Sequence, residues 1–103
     1  MTRLTPYYAV IFTSTQNEDL SGYEDMANKM ETLAKQQKGF LGIESARNNV
    51  GITVSYWESL EAIKSWKQDS EHLLAQQNGR TQWYNWYHVR ICKVEREYDF
   101  KSK

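Results

Sequence analysis

The chain is 103 residues long, with thirteen Lys plus Arg against thirteen Asp plus Glu and a sequence pI of about 6.7. One domain spanning residues 1–103 fits that length, and the charge balance argues against a nucleic-acid or anionic-membrane binder, which would carry a basic excess. A mean hydropathy of −0.79, with no window near ~18 apolar residues, excludes a helical membrane span. A single cysteine, Cys92, excludes an internal disulfide and a cysteine-based zinc site. The opening residues MTRLTPYY lack the apolar core of a signal peptide, so a soluble, cytoplasmic protein is expected.

Residues 6–15 (PYYAVIFTST) are rich in β-branched and aromatic side chains and read as a strand. Tyr7, Ala9 and Ile11 lie on one of its faces, Tyr8, Val10 and Phe12 on the other. From residue 20 to 37 the period changes. Leu20, Tyr23, Met26, Ala27, Met30, Leu33 and Ala34 form one stripe of an amphipathic helix, with Glu24, Asp25, Lys29, Glu31 and Lys35 outside it. Lys38 and Gly39 close that helix. Residues 40–47 alternate as a second strand. Asn48-Asn49-Val50-Gly51 is turn chemistry, so a hairpin leads into a third strand over 52–57. Ser59 is placed to cap a second helix through Trp66, which is expected to break near Asp69 or Ser70 and restart through Leu73 and Leu74 toward residue 79. A last strand is expected over 84–98.

The order β-α-β-β-α-β is the ferredoxin-like split pattern, an α+β fold with a four-stranded antiparallel sheet and helices on one face. The face turned away from the helices should then be polar in a monomer. It is not: apolar residues fall on both sides of the first, third and fourth strands. Covering that second face with another copy of the chain, sheet against sheet under two-fold symmetry, predicts a homodimer.

Chemistry-bearing motifs are few. The chain has no glycine-rich nucleotide loop, no H-E-x-x-H and no nucleophile elbow. Its two histidines, His72 and His88, are sixteen residues apart, which gives metal binding little support. His88 reads as a partly buried structural residue and Cys92 as an inert buried thiol. His72, just past Trp66, is the candidate proton acceptor or hydrogen-bond partner. Residues 79–87 (GRTQWYNWY) concentrate two Trp, two Tyr and Arg80. Such a cluster suits a flat aromatic ligand, with Trp83 and Trp57 as walls and Arg80 stacking or meeting negative charge. Met30, with Met26, offers a flexible pocket wall.

The segments GFLGIESAR (39–47), ITVSYWES (52–59) and SWKQDSEH (65–72), with the run AQQNGRTQWYNWYHVRICKVEREY (75–98), resemble the antibiotic biosynthesis monooxygenase family. The resemblance covers nearly the whole chain. It implies a dimeric α/β-barrel with a cavity between each sheet and its helices. It also implies a cofactor-free monooxygenase that oxidises a small planar aromatic or quinone-like substrate without metal or flavin. In that implied site Trp66 matches the tryptophan of the second helix and His72 lies in the histidine region after it. The residues themselves, not the resemblance, make Trp57, Arg80, Trp83 and Met30 the expected substrate contacts. Active members often carry an asparagine on the first strand. This strand has none and offers the hydroxyls of Thr13 and Ser14 instead, which do not reproduce an amide's paired donor and acceptor. Two other readings stay open: a non-catalytic dimer that binds a small ligand, and a haem-binding or haem-degrading protein with His72 as axial ligand.

Overall fold

A computed structural model describes residues 5–18, 20–77 and 84–102. Strand β1 (Tyr7–Gln16) leads to helix α1 (Tyr23–Gln36), strands β2 (Phe40–Arg47) and β3 (Gly51–Trp57), helix α2 (Leu60–Gln77) and strand β4 (Tyr84–Val94). The sheet is antiparallel throughout, in the order β2-β3-β1-β4. The expected split β-α-β-β-α-β topology is therefore the observed one.

Local chemistry explains most boundaries. α1 begins after Gly22, which takes a left-handed φ of 79° and supplies no side-chain cap, so the helix starts at Tyr23 rather than Leu20. It ends at Gln36. Gly39 then adopts φ +90° against α2, where an added Cβ would stand 2.7 Å from the Ala62 Cβ. Only glycine combines that backbone with that approach. Ser59 Oγ accepts the Ala62 N–H at 3.1 Å, the N-cap its position predicts.

Two further boundaries differ from expectation. α2 does not break near Ser70: that hydroxyl donates to the Lys67 carbonyl at 3.0 Å, which keeps the serine bonded inside the helix. β4 stops at Val94 rather than Tyr98: Val94 pairs with Tyr7, the first residue of β1, and no partner strand lies beyond it among the described residues.

The core sits between β1, β3 and the helices. Val10, Ala34, Trp57 and Ile63 are buried together, with Tyr8, Phe40, Ala62 and Trp66 packed around them. Trp57 has no exposed surface. Its ring meets Phe40 edge-on at 5.4 Å and lies against Trp66 at 5.1 Å. The even-numbered residues of β1 therefore face the helices.

The outer face is covered in part by the chain itself. Tyr7 and Ala9 are buried there, Tyr7 donating its hydroxyl to Glu97 at 2.8 Å and meeting the Tyr56 ring at 6.0 Å. Farther along, Ile52 and Trp86 remain nearly half exposed. His88 is exposed and stacked on Trp86 at 6.3 Å, and Cys92 is also exposed; neither is the buried residue that the sequence suggests. Both lie on the edge strand β4, on the face no helix covers. No described helix is long and apolar enough to cross a membrane.

Candidate functional site

Strand register arranges the helix-facing side of the sheet as rows of side chains. One end row is Phe40, Trp57, Tyr8 and Lys93; the next inward is Ile43, Ser55, Val10 and Ile91. Then come Ser45, Thr53, Phe12 and Val89, and at the far end Arg47, Gly51, Ser14 and Tyr87. Trp57 and Gly51 are six residues apart on β3, so these ends are separated by roughly 20 Å. α1 packs on β2 and α2 on β3. The inner face of β4 is left open, with Val89 at 45% and Ile91 at 50% exposure.

The tryptophan end holds two of the sequence-predicted residues together. Trp57 is sealed in the core, its indole N–H donating to Ser55 Oγ at 2.9 Å. Trp66 is half-buried beside it, and its indole nitrogen is buried with no acceptor among the described residues. A buried donor left unpaired costs about 1–3 kcal/mol. The rest of the predicted set does not converge here. His72 is exposed on α2. Six residues on an unbroken helix put it about 9 Å along the axis from Trp66 and about 120° around it. Met30 is half-buried on α1. Arg80 and Trp83 lie outside the described residues. The described residues hold no group of three His, Cys, Asp or Glu side chains that could bind a metal.

The far end is built from residues that sequence reasoning mostly passed over. Gly51 has no side chain, so the Arg47 guanidinium crosses above it and donates from Nη2 to Ser14 Oγ on β1. That serine is completely buried. Around it stand four rings. Phe12 stacks with Tyr87 at 5.3 Å and meets Tyr84 at 5.4 Å; Tyr84 in turn meets Tyr87 at 5.7 Å and Tyr23 of α1 at 6.0 Å. Burial pushes the Tyr84 phenol well above the ordinary tyrosine range, reinforced by the charge and hydrogen bond of Tyr23; Arg47 pulls the other way and is outweighed. Tyr84 is thus a neutral donor at any ordinary pH. Two signals for this end were present in the sequence. The aromatic run 79–87 contains Tyr84 and Tyr87, and the turn at 48–51 sets an arginine opposite a glycine.

Two shallow depressions of about 350 and 380 Å³ open on the outside of the helical layer. The first lies between α1 and Leu73, the second around Gly39 and Ser59, and neither reaches either end of the inner sheet face. The buried donor and the ring cluster both lie on the helix-facing side of the sheet.

The fold and this inner face can now be set beside known proteins. The family model for antibiotic biosynthesis monooxygenases matches residues 6–78. The chain belongs to this family. A Bacillus subtilis (strain 168) relative, "Uncharacterized protein YqjZ", is 49% identical over 99 residues, covering 94% of this chain and 87% of that one. A mutant of SnoaB, a cofactor-independent oxygenase from Streptomyces nogalater, superposes with a TM-score of 0.72 at 12% identity, covering 88% of this chain and 95% of that one. PA3566 from Pseudomonas aeruginosa gives 0.67 at 16% identity, over 94% and 100%. At these identities the two solved structures establish the fold of this antibiotic biosynthesis monooxygenase family member and leave its substrate to its own residues.

Proposed function

We propose that this chain is a cofactor-free monooxygenase that oxidises a small planar aromatic or quinone-like compound held between its sheet and helices. The observation that carries the reading is the buried Trp66 indole N–H without an acceptor, set beside ring surfaces on the inner face of a family member. A substrate carbonyl or phenol oxygen would pair that donor. Trp57 backs Trp66 from the core, Met30 contributes from α1, and Arg80 and Trp83 complete the set that the aromatic run at 79–87 suggests.

The chemistry asks little of the protein. Removing a proton from an activated aromatic gives an anion that itself reduces O₂. A methylene carbon, two of its hydrogens and O₂ become a quinone carbonyl and water, so no external reductant is needed. The chain's tasks are to bind the ring, stabilise the anion and take the proton. His72 is assigned the last of these in this proposal; exposed on α2 and about 120° around the helix from Trp66, it would take the proton through intervening water rather than by direct contact.

The same reading includes a homodimer. The chain exposes 7794 Å², against roughly 6,000 Å² expected for a compact monomer of this mass. That excess is larger than the roughly 800 Å² each partner buries in a standard interface, and β4 is apolar and open on both faces at Val89, Ile91 and Trp86. Light scattering at micromolar concentration should give twice the 12.2 kDa chain mass; the chain mass itself would refute the dimer.

The deciding experiment is oxygen consumption by the purified chain with a panel of anthrones and hydroquinones, free of metal and flavin. Uptake that falls at least ~100-fold in His72→Ala supports the reading, on the scale that general acid–base groups contribute. Uptake unchanged in His72→Ala removes that residue's role. Binding without uptake would make the protein a ligand carrier. A Soret band on haemin addition that His72→Ala abolishes would favour haem chemistry.

A further inference from the structure

We propose that the Arg47–Gly51–Ser14–Tyr87 end of the inner face is an acid-recognition subsite, which takes the carboxylate or enolate of a planar aromatic ligand. The inference rests on the reading that flat ligands occupy this inner face, and it adds the charge such a ligand carries.

The first argument is an unbalanced charge. Arg47 donates to Ser14, and no carboxylate among the described residues pairs with it. A guanidinium has five N–H donors in a planar fork, and only one bond is accounted for here. Its other neighbours at this end are phenols and a phenyl ring. Tyr84 cannot supply the missing negative charge, because its phenol is held protonated. Arg47 is exposed as a residue although its acceptor is completely buried. One edge of the fork is thus anchored while an opening to solvent remains.

The second argument is that the position is built. A Cβ on residue 51 would fall 2.2 Å from the guanidinium, so the glycine opposite Arg47 leaves the space through which that side chain crosses toward β1, and a larger residue would displace its flexible end. The anchoring serine is completely buried, as Trp57 is at the other end of the sheet.

The third argument is shape. The rings of Phe12, Tyr84 and Tyr87 pack on one another at the same end of the sheet as the cation, an aromatic surface suited to a flat body. Inward of them, Thr53 and Ser45 are small, and Val89 is exposed on the same face. An aromatic acid would place its anion on the arginine fork and its ring over this floor, with the neutral Tyr23–Tyr84 phenol pair as additional donor.

The test compares 2-naphthoate with its methyl ester, matched in ring shape but uncharged, by calorimetric titration of the full-length chain. The acid is expected to bind at least ~10-fold more tightly, and the preference should shrink as salt is raised. Arg47→Met should abolish the preference. Gly51→Ala, which keeps the charge but displaces the guanidinium, should reduce it. Equal affinities in the wild type, no binding of either probe, or a preference that survives Arg47→Met would each overturn the proposal. The readout is binding and needs no turnover. A wild type that consumes no oxygen would sink the oxygenase reading while the acid preference stood or fell by itself.

Discussion

Gly51→Ala tests the architecture of the arginine end directly. The added Cβ would sit 2.2 Å from Arg47 Cζ and Nη2 and 2.5 Å from Nε. Nonbonded carbon contact begins near ~3.5 Å, so the guanidinium must retreat by roughly 1.3 Å. A hydrogen bond lengthened that far is lost. Ser14, with 0% exposure, is then left with an unpaired hydroxyl, at a cost of about 1–3 kcal/mol. Alanine recovers about 0.5–1 kcal/mol over glycine in a strand interior. The net expectation is a loss of up to about 2.5 kcal/mol, measured by urea unfolding at fixed protomer concentration. In an Arg47→Ala background the sign should reverse. The guanidinium is gone, Ser14 is already unpaired, and Gly51→Ala retains only its gain of about 0.5–1 kcal/mol. Equal destabilisation in both backgrounds would refute the reasoning, since it would place the strain on the backbone rather than on Arg47.

Other substitutions probe the remaining links. Trp57→Ala empties the centre of the core and should cost about 3–5 kcal/mol in the same assay; a loss below about 1.5 kcal/mol would mean that Phe40 and Trp66 collapse into the space. Ser59→Ala removes the bond to the Ala62 N–H and should cost about 1 kcal/mol, with no effect if water replaces the cap. Tyr84 has a folded-state pKa above its unfolded value of about 10. Its contribution to stability is therefore complete below about pH 10 and is lost as pH rises above that toward the folded value. Tyr84→Phe should flatten the alkaline decline in melting temperature, and parallel curves for the two proteins would refute this.

Local chemistry explains why much of the fold was legible. Period-two runs, a period-3.6 stripe, the Ser59 cap and the turn at 48–51 each act within a few residues, and β2 runs over Phe40–Arg47 as its alternation predicts. The two misplaced boundaries have longer-range causes. Ser70 is buried in the folded chain and bonds backward, so a residue that favours breaks stays helical. β4 ends where β1 begins, and that depends on which strands become neighbours.

The candidate site divides in the same way. Residue type alone singled out the tryptophans and the aromatic run, because large rings in a small chain must find either a core or a ligand. It could not tell which. Packing assigned Trp57 to the core, left the Trp66 nitrogen buried and unpaired, and turned His72 to solvent through the phase of an unbroken helix. Ser14, Arg47 and Tyr84 are separated by 33 and 37 positions in the chain, and no spacing rule joins them. The sequence by itself determined the elements, their order and the excess of aromatic surface, since those follow from propensity and pattern. Only the tertiary structure decided which side chains share a row, because strand register and the gap at Gly51 bring a cation, a buried hydroxyl and three phenols to one end of the sheet.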